Sequence, residues 1–256
     1  MSDSETILLD RDGDVATITV NRPDAMNALN TDVLETLLAT LEEASDACVL
    51  VLTGTGDEAF VGGADIAHMA DLSVAEAQAF ADLGHCVTDA VATFPGPVIA
   101  AVNGYAFGGG CELALAADLR VASQNAVIGQ PEIDLGIVPG WGGTQRLSRI
   151  VGDATARRMV FFGERIDAED AQHIGLVGDV YAQEDLNERV AEMAEELAEK
   201  PAFALRSAKE ALNQVHETHQ SAGLAYERRL WAGLFGTHDQ REGMEAFVEN
   251  REPNFE

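Results

Sequence analysis

Between Pro97 and Glu112 the chain reads PVIAAV, then NGYAFGGG, then CE. The first stretch is apolar throughout, so as a strand it must be covered on both faces. The second ends in three consecutive glycines, where backbone turns sharply and approaches other groups closely. The third opens a helix. A doubly buried strand running through glycines into a helix demands layers of both kinds, which is an α/β architecture.

The flanking sequence repeats this logic. Val15 to Val20 alternates, with Ala16, Ile18 and Val20 on one face, and ends at Asn21-Arg22-Pro23-Asp24; this predicts a half-buried strand. Thr31 is placed to cap a helix to about Ala44, with Leu34, Leu37, Leu38 and Leu41 in one stripe. Cys48 to Thr53 predicts a second buried strand, closed by Gly54, and Val74 to Thr93 a long alanine-rich helix. A helix from Cys111, a strand near Leu119 to Ala122 and a turn through Gly129-Gln130-Pro131 follow. After about Asp185 the strand signals stop. Leu186, Val190, Met193, Ala194 and Leu197 sit at helical spacing, and helices are predicted over Ala202–Val215, Gly223–Leu234 and His238–Glu249. The expected organisation is an α/β body over 1–184 and a helical region over 185–256, with apolar positions suited to an oligomer.

The 256 residues are 46% apolar, enough for a substantial core. Charge is the unusual part: 44 acidic residues face 16 basic ones, a formal net charge of −28. Only Lys200 and Lys209 are lysines. Such a field repels nucleic acid, whose binding needs cations on its phosphates. The acids are spread along the chain, so they make no acidic tail. Self-repulsion of this size is tolerated where salt shortens the screening length to roughly 3 Å at 1 M, which predicts a salt-rich cytoplasm. No apolar run is long enough for a membrane span, and MSDSETILLD lacks the basic and apolar regions of a leader. A soluble cytoplasmic protein is expected. Cys48, Cys86 and Cys111 are scattered without CxxC spacing, and the histidines form no HExxH; neither a disulfide framework nor a metal site is expected.

Three segments could carry chemistry. The glycine-rich helix start before Glu112 presents unpaired N–H groups and a positive dipole end, which suit a phosphate or a developing oxyanion. Gly62-Gly63-Ala64-Asp65-Ile66 could add a second N–H donor. Gly129-Gln130-Pro131-Glu132 sets a second carboxyl after a proline turn, ahead of another glycine-rich helix entry, PGWGGTQR over 139–146. Taken singly, each is equally well read as a tight turn with a surface acid. Gly54-Thr-Gly56-Asp-Glu-Ala59 also fits GxGxxA, but Phe60-Val61-Gly62-Gly63 opens no helix behind it.

Taken in order, NRPDAMNAL (21–29), FVGGADI (60–66), PVIAAVNGYAFGGGCELALAAD (97–118), GQPEIDLGIVPGWGGTQRL (129–147) and REGMEAFVENREPNF (241–255) resemble the enoyl-CoA hydratase/isomerase, or crotonase, family. The resemblance implies a crotonase-like spiral of ββα units with a C-terminal helical oligomerisation region, assembled as a homotrimer or a hexamer. It implies an enzyme that adds water to a trans-2-enoyl-CoA, with no cofactor beyond the CoA of its substrate. By position, Glu112 would activate the water and Glu132 exchange the α-carbon proton, with the Ala64 and Gly109 N–H groups as oxyanion hole. The Gly140 backbone would support the second acid and the water. Substrate contacts would fall on Ala25, Met26, Asp65, Ile66, Ala67, Gly140 and Trp141, with Met69, Trp141 and Phe161 around the acyl chain. Asp24, Glu58 and Ala67 stand where relatives often carry cations for the CoA phosphates. Rival readings are an isomerase or a 3-hydroxyacyl-CoA dehydratase of the same family, a catalytically silent binding protein on this fold, and a nicotinamide oxidoreductase resting on GxGxxA alone.

Overall fold

The computed structural model describes residues 5–255. Among them run strands β1 (Ile7–Asp12), β2 (Val15–Val20), β3 (Val49–Gly54), β4 (Ala59–Val61), β5 (Val98–Val102), β6 (Tyr105–Phe107), β7 (Leu119–Ser123), β8 (Val127–Gly129), β9 (Arg165–Asp167) and β10 (Asp179–Tyr181). The helices are α1 (Thr31–Glu43), α2 (Ile66–Met69), α3 (Val74–Ala92), α4 (Gly109–Ala116), α5 (Gly143–Val151), α6 (Asp153–Phe162), α7 (Ala168–His173), α8 (Leu186–Ala198), α9 (Ala202–Asn213), α10 (Gln220–Leu234) and α11 (His238–Glu249).

The strands divide between two sheets, in the orders β1-β2-β3-β5-β7-β10 and β4-β6-β8-β9. Each of the pairs β3/β4, β5/β6 and β7/β8 gives its first strand to the larger sheet and its second to the smaller. A helical segment follows each pair, which is the expected spiral of ββα units. Pairing is parallel from β2 to β10 and from β4 to β8; only β1 with β2 and β8 with β9 are antiparallel.

Side-chain alternation explains why the central strands are apolar on every residue. In β3 and β5, Leu50, Leu52, Val98, Ala100 and Val102 enter the main core with α1 and α3. Their neighbours Val49, Val51, Ile99 and Ala101 point the other way, onto Leu186, Val190 and Ala194 of α8. The first helix of the C-terminal region therefore covers the outer face of the large sheet. Beyond it, Lys209 of α9 reaches back to the body, donating to Gly96 O at 3.0 Å and pairing with Asp118 at 2.7 Å.

Successive turns of the spiral are stitched by Asn103, whose amide donates to Gly54 O and Gly56 O at 2.7 and 2.6 Å and accepts from Gly54 N at 3.2 Å. A Cβ at Gly54 would overlap the Phe60 carbonyl. Gly54 thus serves close stacking of turns and Gly56 a bend at φ +85°, and β4 rather than a helix follows them. That removes the dinucleotide reading.

Three helix starts differ from expectation, one of them α10, which begins at Gln220 rather than Gly223. Asn30, not Thr31, caps α1, because its side chain accepts from Val33 N at 3.0 Å, while the Thr31 hydroxyl lies 2.9 Å from His68 Nε2. The helix expected from Cys111 starts at Gly109.

Candidate active site

The site is built from the turns that leave the small sheet. After β4, Leu29 N donates to Gly63 O at 2.9 Å and Asp65 N to Leu29 O at 2.8 Å, a local parallel bridge centred on Ala64. Backbone groups alternate along such a bridge, so the Ala64 N–H points away from Leu29, toward the cavity side. After β6, Gly108 takes φ +51° and ψ −119°, which only glycine adopts readily, and α4 begins. The Gly109 N–H is the first of the helix and has no partner four residues back. Among the described residues neither N–H donates to a protein acceptor. The two turns are in close contact, since a Cβ at Gly63 would lie 3.0 Å from Phe107 O.

One turn into α4, Glu112 is only 2% exposed. Its Oε1 accepts from the backbone N–H groups of Trp141 and Gly143, both at 2.7 Å, at the N-terminus of α5. Burial raises the pKa of Glu112. The Gly143 and Trp141 donors, a charge contribution from His85, and a weaker contact from Gly140 N–H oppose that rise. Gly140, expected to support the second acid and the water, lines the same cavity as both acids.

Glu132 lies on the short 3-10 turn Pro131–Leu135 and is 8% exposed. Burial pushes its pKa up to about 7, helped by the neighbouring Glu112 and opposed by its own backbone N–H. With its nitrogen turned toward Glu132, the fully buried Gln130 amide donates to the two carboxylate oxygens at 2.7 and 3.1 Å. Burial also raises the Cys111 thiol well above its ordinary range, with Glu112 and Glu132 adding to the effect, so it stays protonated and unreactive.

Both carboxyls and both N–H-bearing residues border one cavity of about 600 Å³. Its walls are apolar, from Met69, Leu72 and Phe80 on one side and Leu135, Ile137 and Val138 on the other. Trp141 is lodged so tightly that a Cβ on Gly84 or Gly109 would overlap its ring, and it meets Phe80 edge-on at 5.4 Å. The arrangement pairs two acid–base groups with two N–H donors that can receive a developing oxyanion.

A sequence profile described as enoyl-CoA hydratase/isomerase matches residues 10–256. The chain belongs to the enoyl-CoA hydratase/isomerase family. It is 41% identical to a short-chain-enoyl-CoA hydratase of Clostridium acetobutylicum, over 96% of this chain and 95% of that protein. It is 43% identical to a crotonyl-CoA hydratase of Syntrophomonas wolfei, over 98% of each. The crystal structure of an enoyl-CoA hydratase from Bacillus anthracis superposes with a TM-score of 0.95 at 36% identity, over 98% of this chain and 99% of that one.

Of the residues that the family resemblance singles out, Glu112, Glu132, Ala64, Gly109, Ile66, Gly140 and Trp141 all border the cavity. Ala25, Met26, Asp65 and Ala67 do not. The Met26 carbonyl accepts from Gly62 N at 2.8 Å, and Asp65 caps α2 and pairs with Arg22 at 3.3 Å; both brace the Gly62–Asp65 turn. Phe161, expected beside the acyl chain, is 62% exposed and absent from the lining. It falls on the outward face of α6. For a member of the enoyl-CoA hydratase/isomerase family, the residues missed were Gln130, Gly143 and Phe80. Gln130 lay within a matched block, but nothing local indicates that an amide two residues before an acid folds onto it.

Proposed function

We propose that the protein adds water across the 2,3 double bond of a trans-2-enoyl-CoA to give a 3-hydroxyacyl-CoA, with Glu112 and Glu132 as its acid–base pair. The observation that carries this reading is the convergence of two buried carboxyls and two unpaired backbone N–H groups on one apolar cavity. The relatives named as short-chain-enoyl-CoA and crotonyl-CoA hydratases support it.

The thioester carbonyl oxygen accepts from the Ala64 and Gly109 N–H groups, which stabilise the enolate formed as oxygen adds to C3. Removing one such donor costs about 2.7–4 kcal/mol in comparable sites. Glu112, favoured as carboxylate by its two N–H donors, takes a proton from the attacking water. Glu132, near pKa 7 although the Gln130 amide donates to it, delivers a proton to C2. The C3–O and C2–H bonds form while the double bond becomes single, so electrons balance with no redox partner or cofactor. The reverse sequence is dehydration of the 3-hydroxyacyl-CoA.

The acyl chain lies between the Met69–Phe80 and Leu135–Val138 walls. Exposed Phe203 (59%), Trp231 (64%) and Phe247 (84%) on α9, α10 and α11 support assembly through the helical region, as a trimer or a dimer of trimers. Among the described residues no helix is long and apolar enough to cross a membrane, which fits a cytoplasmic location. The test follows loss of the conjugated enoyl-thioester absorbance of crotonyl-CoA in high KCl. Wild type should turn over, and Glu112→Gln and Glu132→Gln should each lose roughly 100- to 10,000-fold. An inactive wild type, or full activity in either variant, overturns the assignment.

A further inference from the structure

The two N–H groups that hold Glu112 are not adjacent, and the peptide between them must face the other way. Trp141 N and Gly143 N converge on Glu112 Oε1, each at 2.7 Å. Gly142 between them takes the left-handed conformation, φ +106° and ψ 1°. Alternation of this kind aims successive N–H groups into an anion-binding concavity. The intervening Trp141 carbonyl points out of the concavity, and two side chains take hold of it there. The Thr88 hydroxyl donates to it at 3.1 Å and Arg146 Nη1 at 2.9 Å. Arg146 is braced in turn by Asp89, at 2.7 Å from Nη2.

We propose that Arg146, braced by Asp89 and joined by Thr88, is a positioning residue that locks the Trp141–Gly142 peptide and so holds the cradle of Glu112. Its effect on turnover rests on the hydratase reading; its geometry does not. Glycine at 142 offers little steric resistance to rotation of the preceding peptide. Rotation would turn the Trp141 carbonyl toward the carboxylate and replace attraction by repulsion. A guanidinium and a hydroxyl on that oxygen oppose the rotation, because both would lose this bond. The buried Thr88 hydroxyl would fall back on the His85 carbonyl, at 3.2 Å, while Arg146 Nη1 would lose the acceptor it holds at 2.9 Å. A Cβ at position 142 would overlap Arg146 Nη1, so the guanidinium is packed directly on the glycine. Arg146 itself does not line the cavity.

The expected consequence is electrostatic as well as geometric. Groups bearing on Glu112 are His85 from α3, Glu132 from the 3-10 turn and Cys111 from α4. These are unchanged in the variants. Arg146→Met also removes a positive charge and unpairs Asp89, whereas Thr88→Val alters no charge, so a shift in Thr88→Val reports the cradle alone. Losing the N–H donors favours the protonated acid.

The test compares wild type with Arg146→Met, Arg146→Lys and Thr88→Val. In crotonyl-CoA hydration, Arg146→Met should lower kcat about 10- to 100-fold with KM within about 3-fold. The acid limb of its kcat profile should move to higher pH by about one unit, because Glu112 must be ionised to act. Arg146→Lys should recover much of both effects, and Thr88→Val should move both in the same direction. Carboxyl carbon NMR supplies a readout independent of turnover: the Glu112 resonance, assigned by its absence in Glu112→Gln, should titrate higher in Arg146→Met. If Arg146→Met does not fold, Arg146→Lys and Thr88→Val carry the comparison. An unmoved Glu112 titration overturns the positioning role, whatever happens to activity. An inactive wild type with a shifted titration overturns the hydratase reading and leaves the positioning role standing.

Discussion

The Trp141 ring rests on the Cα of Gly109, while the Trp141 backbone N–H holds Glu112. One residue therefore couples the oxyanion turn to the first acid. Gly109→Ala keeps the N–H but drives a methyl into the ring. Overpacking of this kind costs about 1–3 kcal/mol of stability. It should displace both the donor and the Glu112 cradle, lowering kcat at least about 100-fold. Thermal unfolding and steady-state rates on the same preparation check both halves. Near-normal kcat would uncouple the ring from the site.

Hydration and dehydration should share one pH dependence. Both use the carboxyl pair with a single proton, on Glu132 before hydration and on Glu112 before dehydration, and the overall reaction neither takes up nor releases one. With Glu132 at a pKa of about 7, kcat/KM for crotonyl-CoA and for 3-hydroxybutyryl-CoA should fall together as pH rises through neutrality. Initial rates in both directions between pH 5.5 and 8.5 test this; flat profiles would assign the proton to another group.

Glu132 should also cost stability. Its folded pKa lies above its unfolded value, so the native state binds more protons between about pH 4.5 and 7, and stability falls as pH rises across that window. The loss is on the order of 2–3 kcal/mol, allowing for solvent at the cavity mouth. Glu132→Gln should thus match wild type near pH 4.5 and exceed it at pH 8 in denaturant melts. A variant less stable than wild type at pH 8 would contradict the sign.

Lys209 ties α9 to the body through Gly96 O and Asp118, and its side chain is 7% exposed. Among the described residues, Lys209→Met would leave Asp118 the Val98 N–H, at 2.8 Å, and the charge of Arg120. Because Asp118 keeps 27% side-chain exposure, the cost should be nearer about 2 kcal/mol than the 3–5 of a fully buried pair. Urea midpoints measure it, and Lys209→Met with Asp118→Asn should be less damaging than the two single costs summed.

Salt should act on both folding and binding. A net charge of −28 repels itself and a CoA ester alike. Raising KCl from 0.1 to 2 M should raise the melting temperature and lower KM for crotonyl-CoA. Equal values at both concentrations would dismiss screening as the means by which so acidic a chain manages.

Much of this was legible because apolar pattern and glycine placement are local signals. The doubly buried run at Val98–Val102 and the α3 helix stand where the pattern places them, since strand burial and helical periodicity each leave a mark on adjacent residues. Between Arg165 and Tyr181 the elements are three to six residues long, too short for any period to register, and β9, α7 and β10 were invisible. At the site, the blocks holding Glu112 and Glu132 could be matched to a family. The hold on Trp141 by Thr88, 53 residues away, could not, because a hydroxyl–carbonyl contact between distant turns has no sequence period. Phe161 failed for the opposite reason: a phenylalanine near a motif suggests a pocket, but helix phase decides which way it points, and α6 turns it outward.

The two lysines acquire a different meaning beside a thioester. Acyl-CoA is an acylating agent, and unprotonated amines are the side chains it modifies. Here Lys209 is sealed between its own helix α9 and the body, and only Lys200, at 47% side-chain exposure, presents a side-chain amine at the surface. The remaining fixed cations are arginines, whose guanidinium groups stay protonated and are poor nucleophiles. A surface so nearly stripped of amines offers its own reactive substrate almost nothing to damage.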